Sequence, residues 1–200
     1  MPFKIKPHVR FKLLFSDYFD IDKRVLEDYG ALNICLTADL PLFIDPFLLF
    51  ASDKPEYQKL HTEVVEHLIF LKEHAIDSTD ENVNLSLFRF PEIKQNWLGM
   101  SKYGNDGKGL GKKFAKSAIT AFNGFYRNFG EEDITEDSHI EKLTLVKSGV
   151  GKDFISDFTT NLIQEYLLEY TENFASKNLD KTQIKEFSIR CRFDKKTKTW

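Results

Sequence analysis

Two hundred residues are enough for one sizeable core, and 19 Phe within a 42% hydrophobic composition exclude disorder over the whole chain. A formal net charge of −3 excludes overall basicity, so any contact with nucleic acid has to be regional. Cys35 and Cys191 are the only cysteines, with no CxxC and no Cys/His zinc spacing, which excludes a disulfide scaffold or zinc finger and suits two thiols in a reducing cytosol.

The expected class is α+β, with mixed short strands and three longer amphipathic helices at about 56–76, 112–128 and 153–176. Residues 1–15 carry Lys4, Lys6, Arg10 and Lys12 and no acid, but lack the apolar core and cleavage site of a secretion signal. ALNICLT (31–37) and LFID (42–45) are apolar, partly β-branched and punctuated by Pro41 and Pro46, and read as strands. Pro46 ends the second of them just after Asp45, placing that carboxylate at a strand terminus. The most apolar run, LPLFIDPFLLFA (40–51), is interrupted by Asp45 and Pro46 and is too short for a bilayer, so the expectation is a cytoplasmic protein with no membrane partner.

Tyr57, Leu60, Val64, Leu68, Leu71 and Ala75 recur at three and four and predict the first long helix. DSTDEN (77–82) reads as a loop, and 83–90 as a further strand leading into Pro91. Five glycines between Gly99 and Gly111 predict a loop at 99–110, followed by a helix that places Phe114, Ala118, Phe122 and Phe125 on one side. An acidic loop at 130–138 and a short strand at 143–146 precede the third helix, where Phe154, Phe158, Leu162, Tyr166, Tyr170 and Phe174 recur at strict fours. Near the end, Phe187, Ile189, Cys191 and Phe193 alternate with polar residues as in a half-buried strand, and Asp194-Lys195-Lys196 reads as a turn toward a return strand. One α+β domain over 1–200, the N-terminal part of a longer chain, is therefore expected.

Several motifs fail a chemical test. A phosphate loop needs G-x-x-x-x-G-K-[ST], but Gly151-Lys152 is followed by Asp153, and Val146 stands where the first glycine belongs. Near Gly111-Lys112, Asp106 and Lys113 occupy the two required positions. His61, His67 and His74 share the first long helix without an HExxH arrangement, and read as flanking positions of an amphipathic helix. No GxSxG is present, and Cys35 lies in an apolar strand.

Two constellations do carry chemistry. Asp153, Asp157 and Asn161 are spaced by four on one helix face, where carboxylate oxygens suit Mg²⁺; the alternative is that Asp153 caps the helix and Asp157 favours its dipole. Asp45 at a strand end, with Glu92-Ile93-Lys94 after a second strand, is similar to the Asp…Glu-x-Lys order of restriction-type nucleases. There the acids bind metal and the lysine orients water; the alternative is that Asp45 caps a turn before Pro46. The region 94–127 is basic: Lys94, Lys102, Lys108, Lys112, Lys113, Lys116 and Arg127 oppose Asp106 alone, beside Trp97 and Tyr103. Lysines and aromatics around flexible backbone suit a phosphate-tracking surface, although the net charge of −5 over 131–142 offers internal neutralisation.

The order LFIDPFLLF, FPEIKQNWLGMSKYGNDGKGLGKKF, EKLTLVKSGVGKDFISDFTTNLI resembles a loosely characterised group of bacterial proteins associated with phage defence and mobile elements. The resemblance implies a prokaryotic, cytoplasmic defence-type protein. The combined expectation is action on DNA or RNA as a Mg²⁺-dependent nuclease. Asp45, Asp153 and Asp157 would bind metal, Glu92 and Lys94 would assist, and Lys102, Lys108, Lys112, Lys113 and Lys116 would hold the backbone. The rival expectation is a non-catalytic recognition or assembly module docking a protein partner or the remainder of its own chain.

Overall fold

The computed structural model describes residues 13–77, 87–93, 95–99, 115, 116, 119 and 152–200. The helix expected at 112–128 is thus described only at three helical positions, of which Ala115 is fully buried and Lys116 exposed. The glycine loop after Gly99, the acidic segment 130–138 and the strand expected at 143–146 lie outside the described residues.

Six α-helices are described from end to end, in chain order: α1 (Phe15–Phe19), α2 (Lys23–Tyr29), α3 (Pro46–Phe50), α4 (Pro55–Asp77), α5 (Lys152–Leu162) and α6 (Gln164–Asn178). A 3₁₀ turn, Lys181–Gln183, comes after them. Local chemistry sets several of their ends. Asp22 caps α2 by accepting from the Arg24 N–H at 2.9 Å, and Gly30, at φ 79°, closes it in the left-handed region open to glycine. Asp45 caps α3 by accepting from the Phe47 N–H at 3.0 Å, with Pro46 supplying a helical φ at the first position.

The α+β expectation is overturned: the described residues form helices joined by irregular segments, with isolated bridges in place of strands. Among the described residues, 31–37 make one bridge to the N-terminal segment, Leu14↔Cys35, through Phe15 N–H to the Ile34 carbonyl and Leu36 N–H to the Leu13 carbonyl, with Asn33 bonded to Ser16 beside it. Leu40 pairs with Leu98, and the next residue, Pro41, has no N–H to extend a ladder. At the C-terminal end the expected half-buried strand is absent, and Phe187 is 72% exposed. The turn at 195–198 closes one antiparallel bridge, Asp194↔Thr199. Trp200 then donates from its indole N–H to the Arg89 carbonyl at 3.0 Å.

The core lies between α4 and α5. The predicted stripe on α4 supplies Leu60, Val64, Leu68 and Leu71, which pack with Phe88, Phe90, Phe154, Ile155, Phe158 and Ile163. The helix expected over 153–176 is two helices. Ile163, at φ −99° and ψ 12°, interrupts it two residues after Thr159-Thr160-Asn161, residues that favour other local hydrogen bonds. Among the described residues no helix is long and apolar enough to cross a membrane.

The N-terminal helices are clasped to α6 by a reciprocal pair. The Tyr29 hydroxyl donates to the Tyr170 carbonyl at 2.9 Å, and the Tyr170 hydroxyl donates to the Tyr29 carbonyl at 2.7 Å. Tyr29→Phe and Tyr170→Phe are each expected to cost about 1 kcal/mol, with a coupling of about 0.5 kcal/mol or more in the double mutant, because both bonds hold the same two segments together. Urea unfolding of the two single variants and the double variant measures both quantities. Strict additivity would mean that the two bonds do not act as a unit.

Candidate functional site

The first half of α5 carries Asp153, Asp157 and Asn161 on one face, and two hydrogen bonds pin distant segments against this helix. The Ser156 hydroxyl accepts from the Ile44 N–H at 2.9 Å, fixing the stretch that ends at Asp45. The Asn161 amide donates to the Pro91 carbonyl at 3.2 Å, fixing the stretch that carries Glu92. A third segment is drawn in by the Leu40↔Leu98 bridge, which sets Asp39 beside Gly99. A Cβ at position 99 would stand 3.0 Å from an Asp39 carboxylate oxygen, and φ there is 144°, so this close approach needs glycine. Trp97, two residues earlier, holds φ 51°, a conformation that non-glycine residues rarely adopt and that concentrates at functional positions.

These contacts gather four carboxyls. Asp157 is half-buried, and its pKa is pushed up to about 7, first by burial and then by the negative charges of Asp153, Glu92 and Asp39. Asp153 is exposed in the first turn of α5. Asn161, 1% exposed, keeps an amide oxygen with no hydrogen-bond partner among the described residues, although its NH₂ group is bonded. A carboxyl crowded by like charge either keeps a proton near neutral pH or takes a cation.

Among the described residues no three His, Cys, Asp or Glu side chains stand close enough to hold a metal ion together. The cluster therefore does not fit a closed metal cage. Mg²⁺ makes a smaller demand, since it is commonly held by one or two carboxylates and keeps its other positions for water and substrate phosphate. Asp153 and Asp157, one helical turn apart, fit that pattern.

The sequence model of one family, described as a domain of unknown function (DUF8370), matches residues 20–200. The chain belongs to that family. Neither the curated proteins nor the solved structures hold a match.

The remaining sequence-predicted residues of this DUF8370 chain divide as follows. Asp45 is exposed, and its described bond is the α3 cap, next to Ile44 on Ser156. Glu92 is half-buried and is one of the charges acting on Asp157. Lys94, Lys102, Lys108, Lys112 and Lys113 lie outside the described residues, while Lys116 is exposed. Lys152, at the start of α5, places its ammonium 4.9 Å from the Phe43 ring centroid. Two of the three histidines depart from the flanking positions expected for them. His61 and His67 are 5% and 3% exposed, and His74 bonds the Phe70 carbonyl through Nδ1 at 2.8 Å. Sequence reasoning missed Asp39, a lone acid before Leu40-Pro41 whose place is set by pairing with Leu98.

Proposed function

We propose that this DUF8370 protein hydrolyses phosphodiesters in nucleic acid, with Asp153 and Asp157 as the cation-binding pair and Glu92 as the proton acceptor. The supporting observation is the convergence of the charges of Asp153, Glu92 and Asp39 on Asp157, from three separate stretches of chain. Mg²⁺, when bound, supplies Lewis-acid stabilisation of charge on the phosphoryl oxygens. The chain's own groups do the rest. Glu92 takes a proton from the attacking water, the new P–O bond displaces the ester oxygen, and that oxygen leaves protonated by solvent. The basic composition of residues 94–127 and the resemblance to phage-defence proteins suit a nucleic-acid substrate.

Labelled single- and double-stranded DNA and RNA, incubated with Mg²⁺, with Mn²⁺ and with chelator, test this reading. Cleavage is expected only with the metals and is expected to be lost in Asp153→Asn and Glu92→Gln, whose folding is checked by circular dichroism. No cleavage of any substrate by the folded wild type would overturn the hydrolytic assignment.

A second reading, protein docking, draws on exposed apolar side chains: Phe47 and Leu48 on α3 at 45% and 65%, and Phe187 at 72%. Salt separates the two. Binding to nucleic acid weakens steeply with added salt, whereas an apolar docking surface does not.

A further inference from the structure

Residues 181–190 are all exposed, and from 184 to 193 the chain forms neither helix nor strand. The stretch is nonetheless held at both ends. Asp180 caps the 3₁₀ turn before it by accepting from the Thr182 N–H at 2.8 Å. At the far end the Arg192 guanidinium bonds the Glu165 carboxylate on α6, and Phe193 packs on His67 and Trp200. Ile184 has extended backbone, and the Lys185 ammonium lies 5.3 Å from the Phe187 ring centroid. Residues two apart therefore share a side, as in a strand. Among the described residues, no backbone N–H or carbonyl of 185–193 is hydrogen-bonded, and no proline interrupts the row of donors. Such an open edge accepts another strand.

The side chains along this edge specify which strand. When two antiparallel copies pair about Ser188, Glu186 of one copy faces Arg190 of the other, and Phe187 faces Ile189. Each contact occurs twice, as a two-fold axis requires. Among the described residues neither Glu186 nor Arg190 has an ion-pair partner, and Phe187 and Ile189 are 72% and 39% exposed. Other registers lose this match. Parallel copies set Glu186 on Glu186 and Arg190 on Arg190, and centring on Arg190 or Cys191 brings arginines together. Centring on Phe187 leaves both charges opposite uncharged residues, and centring on Ile189 requires Arg192, which Glu165 already holds. We propose that the chain self-associates through residues 185–191, as an antiparallel ribbon of two copies centred on Ser188. The ribbon shares no residue with the carboxylate cluster and stands or falls independently of the hydrolytic reading.

Sedimentation equilibrium of the full 200-residue chain over a wide concentration range tests this. A reversible dimer is expected, with a Kd between about 10 μM and 1 mM, in keeping with a small interface. Glu186→Arg and Arg190→Glu change exposed residues and leave the fold intact. Each is expected to raise Kd about tenfold or more, because like charges then face one another twice. The double variant E186R/R190E restores opposite charges and is expected within about threefold of wild type. A chain that stays monomeric at the highest concentration would overturn the proposal. So would a dimer whose Kd neither single variant raises, which would lie on another face, or a double variant no better than the singles.

Discussion

Asp157→Asn is expected to raise the melting temperature at pH 8 and to leave it almost unchanged at pH 4. The Asp157 carboxyl in the folded chain titrates at about 7 against an ordinary value of 3.8, through burial first and then Asp153, Glu92 and Asp39. Between those two pH values the folded state holds a proton that the unfolded state has released, so this group makes stability fall as pH rises from about 4 to 7. Above 7 both states are ionised and the full penalty persists. Asn mimics the protonated acid and removes the penalty at pH 8. With allowance for solvent screening of a partly exposed group, the gain is about 1 to 2 kcal/mol, or about 3–6 °C in a domain of this size. The same variant is expected to lose Mg²⁺-dependent cleavage, because the neutral amide does not replace an anionic ligand. Stability gained together with activity lost distinguishes a functional acid from a structural one. Thermal melts across pH 4–8 check the first half, and the cleavage assay checks the second.

The second large effect runs the other way with pH. His67 is 3% exposed, its ring 5.1 Å from Phe193, 5.8 Å from Phe70 and 6.1 Å from Phe158 between centroids. Burial, then the charge of Lys195, lowers its pKa from 6.5 to about 3. Between those values the unfolded chain binds a proton that the folded chain refuses, so stability is lost as pH falls from about 6.5 to 3. The loss amounts to about 4 kcal/mol, enough to dominate acid unfolding of a marginally stable domain. His67→Met removes the titration and keeps apolar volume, and His67 Nε2 has no partner among the described residues to lose. Stability of this variant at pH 7 is expected within about 1 kcal/mol of wild type, with a clear advantage below pH 5. Urea unfolding at pH 7 and pH 4 checks both. A wild type that loses no more stability than the variant over that range would place His67 outside the acid-sensitive core. Asp157 opposes His67 between pH 4 and 6.5, so differences between variants separate effects that partly cancel in the wild type.

Helices were legible where a long apolar period was on the page. The stripe through Leu60, Val64, Leu68 and Leu71 predicts 56–76, and α4 runs Pro55–Asp77. The same periodicity is blind to a local break. The fours from Phe154 to Phe174 continue through Ile163, where the backbone leaves the α-helix after Thr-Thr-Asn. Strand signals failed for a different reason. ALNICLT is apolar enough for a strand, but among the described residues its pairing with 13–15 makes a single bridge. Phe187 and Ile189 alternate as a strand would and remain exposed, since alternation describes a side-chain pattern and not what covers it. At the site, the i, i+4 spacing of Asp153 and Asp157 was readable, as was the acid Glu92. Asp39 was not, because its proximity to Asp157 depends on tertiary pairing, not on spacing along the chain.

The proposed hydrolysis requires that the carboxyls around Asp157 bind a divalent cation. Carbon-13 NMR of the labelled Asp157 carboxyl, titrated from pH 3 to 9 with and without saturating Mg²⁺, tests it most directly. The Asp157 carboxyl is expected to titrate at about 7 without metal. A fall of about one unit or more is expected when Mg²⁺ is present, since a bound cation favours the ionised form. A carboxyl that titrates in the ordinary aspartate range, or one that Mg²⁺ leaves where it was, would contradict it.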